Sequence, residues 1–406
     1  MFYNLITNID KLYGGIAMKK MCVILTLVIT FNLGFGLALP TSARADTIDA
    51  ILDVLDAINT YAYVREMAKK TEFTMQNQVL QEYKKEWGVS KDDAANEMLH
   101  RIFTRVGAAP GNEEILARPP SYFVIPDPTI NGFRALGNVI GINLGVFHEF
   151  GFNEDMVAFI VTHEIGHGTK QHALRKIEGI VPLEVAARLF AKRYGEYLED
   201  VHLHLAGLIL LHIRNGGYSV PFEYEADNAA FEYGVRAGYN PGAAAAGEAR
   251  LMYFYEDKQD LFQTLFNPRT HPPTHKRVEN FSAKLTEFSG NMVTVTGTSV
   301  NVKGQPFLNA RPIGGRLAGE RAFLIAGNLA RVFNKSPRPI EPATVEFGTL
   351  KLAGRSIITP VPGEPSVEEL QNKLNAILGF TANATSSSTT NTPKSSNPQN
   401  PHWIVL

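Results

Sequence analysis

His163, Glu164, Ile165, Gly166 and His167 are the residues whose types and spacing most directly imply chemistry. Residues four apart share a helix face, so both imidazoles can offer a ring nitrogen to one zinc ion, with Glu164 beside it as a general base. A polar surface turn with two solvated histidines would spell the same H-E-x-x-H pattern, so the flanks decide. Asn153 can cap a helix, Glu154 and Asp155 suit its positive end, and Met156, Val157, Phe159, Ile160 and Val161 form a buried approach. Gly166 and Gly168 each cost about 1 kcal/mol against Ala in a helix interior, which points to close packing there. One helix is therefore predicted over 153–176.

Further along the chain, Glu223 and Asp227 are four apart and share a helix face, while Glu225 points roughly the other way. This selects Glu223 as the third zinc ligand and Asp227 as the acceptor that orients a ligand histidine. Ala226, Ala229 and Ala230 permit close approach to the first helix. His202, His204 and His212 lack paired carboxylates and are not chosen as a second site. Pro272 and Pro273 stiffen the loop that carries His271. His271 is expected either to donate to a developing oxyanion or to act as a reversible extra zinc ligand that keeps the site shut, and Arg277 to brace that loop.

The elements that must position these groups begin with two or three helices over 46–109. Short strands follow at 122–125 and 138–144, and Asn138, Val139, Ile140, Gly141 and Ile142 are read as an exposed edge able to pair with an extended peptide. Past Gly290 a β-rich region to 365 is expected, with strands at 292–296, 299–302, 322–325 and 344–352 and no internal repeat. A short helix at 366–380 and a polar, disordered tail at 381–406 complete the reading.

Across 406 residues the hydrophobic fraction is 45% and the formal net charge is -1, enough for a large core and without the basic bias of a nucleic-acid binder. Gly304, Gly314 and Gly315 match no phosphate loop, so no nucleotide is expected. Lys19 and Lys20, an apolar stretch over 21–39 and the Ala43-Arg44-Ala45 cleavage pattern read as a signal peptide over 1–45, with Met18 as its start. That implies a periplasmic or extracellular protein. The alternative is a membrane anchor over 21–39. The single cysteine, Cys22, lies in this leader, so zinc must be held by histidine and carboxylate.

The motif set resembles the zinc metallopeptidase family of HtpX-type proteases, CAAX prenyl endopeptidases and BepA-type periplasmic proteases. The resemblance rests on Asn131-Gly132-Phe133, the His163 to His167 motif, His172, the Glu223 to Asp227 helix, Ala237 to Pro241, and Thr270-His271-Pro272 with Arg277. It covers about residues 95 to 280. Tyr218 to Phe222 departs from it, replacing a Ser-Arg pair and leaving the local contacts open. The resemblance implies a predominantly helical gluzincin-type domain with a short sheet, taken over 46–285; with the small β-rich C-terminal domain that the alternation predicts over 290–365, which the resemblance does not cover, the expected fold class is α+β. The resemblance also implies one zinc ion per chain, a supporting place for His172 and protein or peptide substrates of the cell envelope. The alternative is a latent or non-catalytic, chaperone-like zinc protein whose β region recruits an envelope partner.

Overall fold

The computed structural model describes residues 59, 61–179, 218–257, 274–335 and 341–380. The leader segment, His202, His204, His212, the His271 loop and the 381–406 tail lie outside them. No helix among the described residues is long and apolar enough to cross a membrane.

After a helical segment at 61–74 come α1 (Gln76–Trp87), α2 (Asp93–Gly107) and α3 (Glu113–Ala117). Asp92 starts α2 by accepting from the backbone N–H of Ala95 at 2.9 Å. A three-stranded sheet follows, made of β1 (Ser121–Ile125), β2 (Gly132–Ala135) and β3 (Val139–Asn143) in the order β1-β3-β2. β3 runs parallel to β1 and antiparallel to β2. Phe123, Ile125 and Val139 pack with Val79, Tyr83, Trp87 and Phe133, so α1 covers one face of the sheet. Val124, Ile140 and Ile142 enter the main core on the other.

This sheet corrects the expected peptide-binding strand. Residues 139–142 belong to β3, which pairs on both sides and has no free edge. Among the described residues the outer strands are β1, whose Val124 carbonyl accepts from the Ser90 N–H at 2.8 Å, and β2. The four residues of β2 include Gly132 and carry no apolar alternation, so their sequence reads as a turn.

Next come α4 (Leu144–Glu149), α5 (Glu154–Thr169), α6 (Val220–Arg236), α7 (Ala243–Asp257) and α8 (Thr274–Phe288). α5 is the central helix: Met156, Val157, Ala158, Phe159, Val161 and Ile165 are all buried, so its apolar surface is not confined to one stripe. It ends earlier than expected. Gln171 takes a left-handed backbone (φ 54), and a separate helical segment runs over 172–179.

The chain is α+β, with its strands in short three-stranded sheets. The C-terminal region contains a structural duplication that its sequence conceals. β4 (Val293–Thr296), β5 (Ser299–Val302) and β6 (Gln305–Asn309) form an antiparallel meander followed by α9 (Ala318–Lys335). β7 (Thr344–Glu346), β8 (Thr349–Leu352) and β9 (Arg355–Ile358) repeat it and lead into α10 (Val367–Leu378). Val300 and Val302 correspond to Leu350 and Leu352, and the left-handed Lys303-Gly304 turn corresponds to Ala353-Gly354. Only apolar class and turn chemistry are shared. The strand expected at 322–325 is part of α9, because Ala322, Ile325, Ala326, Leu329 and Phe333 recur at helical spacing and are buried.

α9 seats this region on the helices around the site. A Cβ at Gly242 would lie 1.8 Å from the Phe323 carbonyl oxygen, and Asn240 Nδ2 donates to the Leu324 carbonyl at 3.0 Å. The apolar core runs without interruption from α2 to α10.

Glu364 ties the two repeats together, accepting from the backbone N–H of Arg311 at 2.8 Å and of Val361 at 2.9 Å while pairing with Arg321. Burial raises its pKa, but the Arg321 and backbone donors outweigh it and hold the carboxyl below its ordinary value. Glu364→Ala is expected to cost about 3 kcal/mol by leaving Arg321 uncompensated. A depressed folded value means the carboxylate's contribution is complete above the unfolded value near 4.3 and is lost as pH falls through the folded one. Urea midpoints of the two proteins should therefore differ most at neutral pH and converge in acid.

Candidate metal centre and active site

Asn153 caps α5 by accepting from the Met156 N–H at 3.2 Å, which sets the phase of the helix and turns His163 and His167 to one face. α6 starts after Ser219, with Pro221 in its first turn, and presents Glu223 and Asp227 to α5. The helices approach closely because Gly166 has no side chain: a Cβ there would lie 3.0 Å from the Ala226 carbonyl oxygen and 3.2 Å from the Ala229 Cβ. Gly168 similarly leaves room for Asn138, whose Oδ1 would be 2.8 Å from an added Cβ. Gly166→Ala meets backbone that cannot rotate aside, so a loss of about 1–3 kcal/mol and weaker metal binding are expected, read by thermal unfolding and chelator competition.

His163, His167 and Glu223 offer ligand atoms within 4.8 Å of one another, all three residues being buried. His163 Nε2 lies 3.0 Å from His167 Nε2 and 3.3 Å from Glu223 Oε2, and His167 Nε2 lies 3.6 Å from Glu223 Oε1. The other ring nitrogens are held elsewhere. His163 Nδ1 is 2.8 Å from Asp227 Oδ1, so the ring can donate there and keep Nε2 for a cation.

His167 Nδ1 is 2.8 Å from His172 Nδ1, whose ring reaches Glu225 Oε2 through Nε2 at 3.2 Å. Arg175 completes this chain, donating to Glu225 at 2.7 Å. Burial pushes His172 down to about 4 against the pull of Glu225, so the ring is neutral and its Nδ1 can accept from His167. Residues 167 and 172 would not face each other on one continuous helix; the break at Gln171 folds His172 back. Glu225 and Arg175 were missed because Glu225 lies on the face turned away from Glu223, and only the helix break brings a partner to it.

Arg277, expected among the groups that support the site, lies against Asp227. It binds Asp227 through two nitrogens, Nε to Oδ2 at 2.9 Å and Nη2 to Oδ1 at 2.5 Å, and pairs with Glu248 of α7 at 2.7 Å. Burial opposes an ionised Asp227, yet the Arg277 charge keeps it well below the usual carboxylate range. Burial likewise opposes an imidazolium at His163, but Asp227 and Glu223 push its pKa up to about 10. A cation entering the site must therefore displace a proton. Arg277 thus braces Asp227, while the loop it was expected to brace lies outside the described residues.

Glu164 sits beside the free edge of the sheet, with Oε1 3.5 Å from where a Cβ on Gly132 would be. Tyr218, just before α6, stacks on the His167 ring at 4.0 Å and donates its hydroxyl to the Arg134 carbonyl at 3.2 Å. Burial holds this phenol above its ordinary value, so it stays protonated and donates.

Two imidazoles and a carboxylate converging on one point form a group that could hold a metal ion, with a further carboxylate beside them. Residues 93–285 match the model of peptidase family M48. The chain is also 26% identical over 209 residues to the Vibrio cholerae serotype O1 protein described as "Putative beta-barrel assembly-enhancing protease". The match covers 49% of this chain and 41% of that relative, so the chain spans less than half of the relative's length.

Proposed function

We propose that the protein is a zinc-dependent endopeptidase acting on exported or envelope proteins in protein quality control. The observation that carries this reading is the convergence of two imidazole nitrogens and the Glu223 carboxylate. A tetrahedral zinc ion with bonds of about 2.0–2.1 Å keeps its ligand atoms roughly 3.4 Å apart; the two Nε2 atoms lie 3.0 Å apart, and the Glu223 carboxylate comes within 3.3 Å of His163 through Oε2 and within 3.6 Å of His167 through Oε1. His163, His167 and Glu223 would hold the ion. When bound, zinc supplies Lewis acidity to a water molecule and to the scissile carbonyl. Glu164 takes the proton from the attacking water and delivers it to the leaving amine. Asp227, His172 and Arg277 keep the two imidazoles in the tautomer that leaves Nε2 available.

The free edge of β2 is the surface that suits an extended peptide, since it lies next to Glu164 and main-chain pairing is indifferent to side-chain identity. The relative's name links it to beta-barrel assembly, and the leader-like residues 1–45 fit export; together they favour envelope substrates. Casein cleavage by the purified chain, abolished by chelator and restored by zinc, is the expected result. Cleavage that survives complete metal removal would refute the reading.

A further inference from the structure

The hydrogen-bond parity of β2 fixes which of its main-chain groups face the free edge. The Asn143 N–H donates to the Asn131 carbonyl at 2.9 Å, and the register places Gly132 opposite Ile142. Residues directly opposite that exchange a bond alternate with residues that do not, so 131, 133 and 135 bond to β3 while Gly132 and Arg134 turn their N–H and C=O outward. An incoming peptide therefore has two outward residues to pair with. Gly132 lies beside Glu164. The carbonyl of Arg134 is already occupied, because the Tyr218 hydroxyl donates to it at 3.2 Å.

Resting on the peptidase reading, we propose that Tyr218 is a gate on the substrate edge. In the closed position its ring lies over His167 and its hydroxyl holds the ladder position at Arg134. A short peptide can pair at Gly132 without disturbing it. A longer extended chain must take over the Arg134 carbonyl, and Tyr218 then swings out. The residue lies two positions before Val220, the first residue of α6. Because strand addition at β2 is a main-chain interaction, the gate selects for length and extended conformation in the substrate, not for particular side chains. Unfolded segments meet that requirement and folded surfaces do not.

Peptide binding to the zinc-loaded Glu164→Gln chain tests the gate without turnover. With Tyr218→Phe added, a blocked octapeptide should bind roughly fivefold tighter, about the worth of one net hydrogen bond, and a blocked tripeptide equally well. Zinc content should not change. Tyr218→Leu, which also removes the stacked ring, should give the same ordering.

Equal octapeptide affinity with and without the hydroxyl would overturn the gate. So would weaker binding in the Phe variant, which would make the phenol a donor to substrate, or loss of zinc, which would make Tyr218 a support for His167. Casein cleavage by the unsubstituted chain is scored separately. Its absence would count against the peptidase reading, while the binding series still decides the gate.

Discussion

Replacing Glu164 with Gln is expected to lower kcat for casein cleavage by about 10³-fold, with zinc content unchanged. Gln has nearly the same shape but cannot accept the proton of the attacking water at neutral pH. Glu164 is separate from the three residues that converge as ligands, and its carboxylate lies toward Gly132 on the free edge of β2. The substitution should thus act on the chemical step, with KM for a peptide substrate little changed. Single-turnover kinetics, together with metal analysis of the same preparation, distinguish this from a loss of the ion. Full activity in the variant would remove Glu164 from the mechanism.

Asp227→Ala should produce a second large effect, on both metal affinity and stability. Asp227 orients His163 through Nδ1 and balances the buried guanidinium of Arg277, which without it keeps its ion pair with Glu248 but loses its two-nitrogen contact. Losing a hydrogen-bond partner of a ligand histidine typically weakens metal binding 10–100-fold, about the range expected here. Leaving a buried ion uncompensated costs about 3–5 kcal/mol. Asp227→Asn separates the two contributions, because it keeps an acceptor for the His163 N–H and removes only the charge. Zinc competition with a chromogenic chelator should place it between the parent chain and the Ala variant. Urea midpoints of the metal-free proteins should show the cost of the exposed charge imbalance on its own.

Much of the centre was readable from spacing because its parts sit on regular helices. His163 with His167, and Glu223 with Asp227, are each four apart, so helix geometry alone assigns them to common faces. Gly166 was informative for the same reason: a helical glycine costs stability, and α6 lies against it. The supporting contacts were less legible where they depend on a break or on distant packing. His172 was placed by resemblance, but its bond to His167 requires the left-handed Gln171, and Glu225 acquires its role only through that turn. Arg277 reaches Asp227 across the seam between α8 and α6, a meeting that no local period encodes.

The sheet shows the same limit. A run of apolar residues identified β3 as a strand, yet whether a strand is central or peripheral depends on what pairs with it. β2 is four residues long and contains a glycine, so the segment that makes the true edge was hidden. In the C-terminal region, β5 and β8 share inward apolar positions and the turns that follow them, while their solvent-facing residues have no reason to match. The duplication is accordingly plain in topology and faint in sequence. The 322–325 run was ambiguous in isolation and becomes helical once its neighbours at three- and four-residue spacing are included.

Anomalous diffraction at the zinc edge from crystals of the zinc-loaded chain tests the metal centre most directly. One peak is predicted about 2.1 Å from His163 Nε2, His167 Nε2 and a Glu223 carboxylate oxygen, with the fourth position open to solvent on the Glu164 side. A peak at other residues, or a fourth protein ligand closing the site, would contradict it.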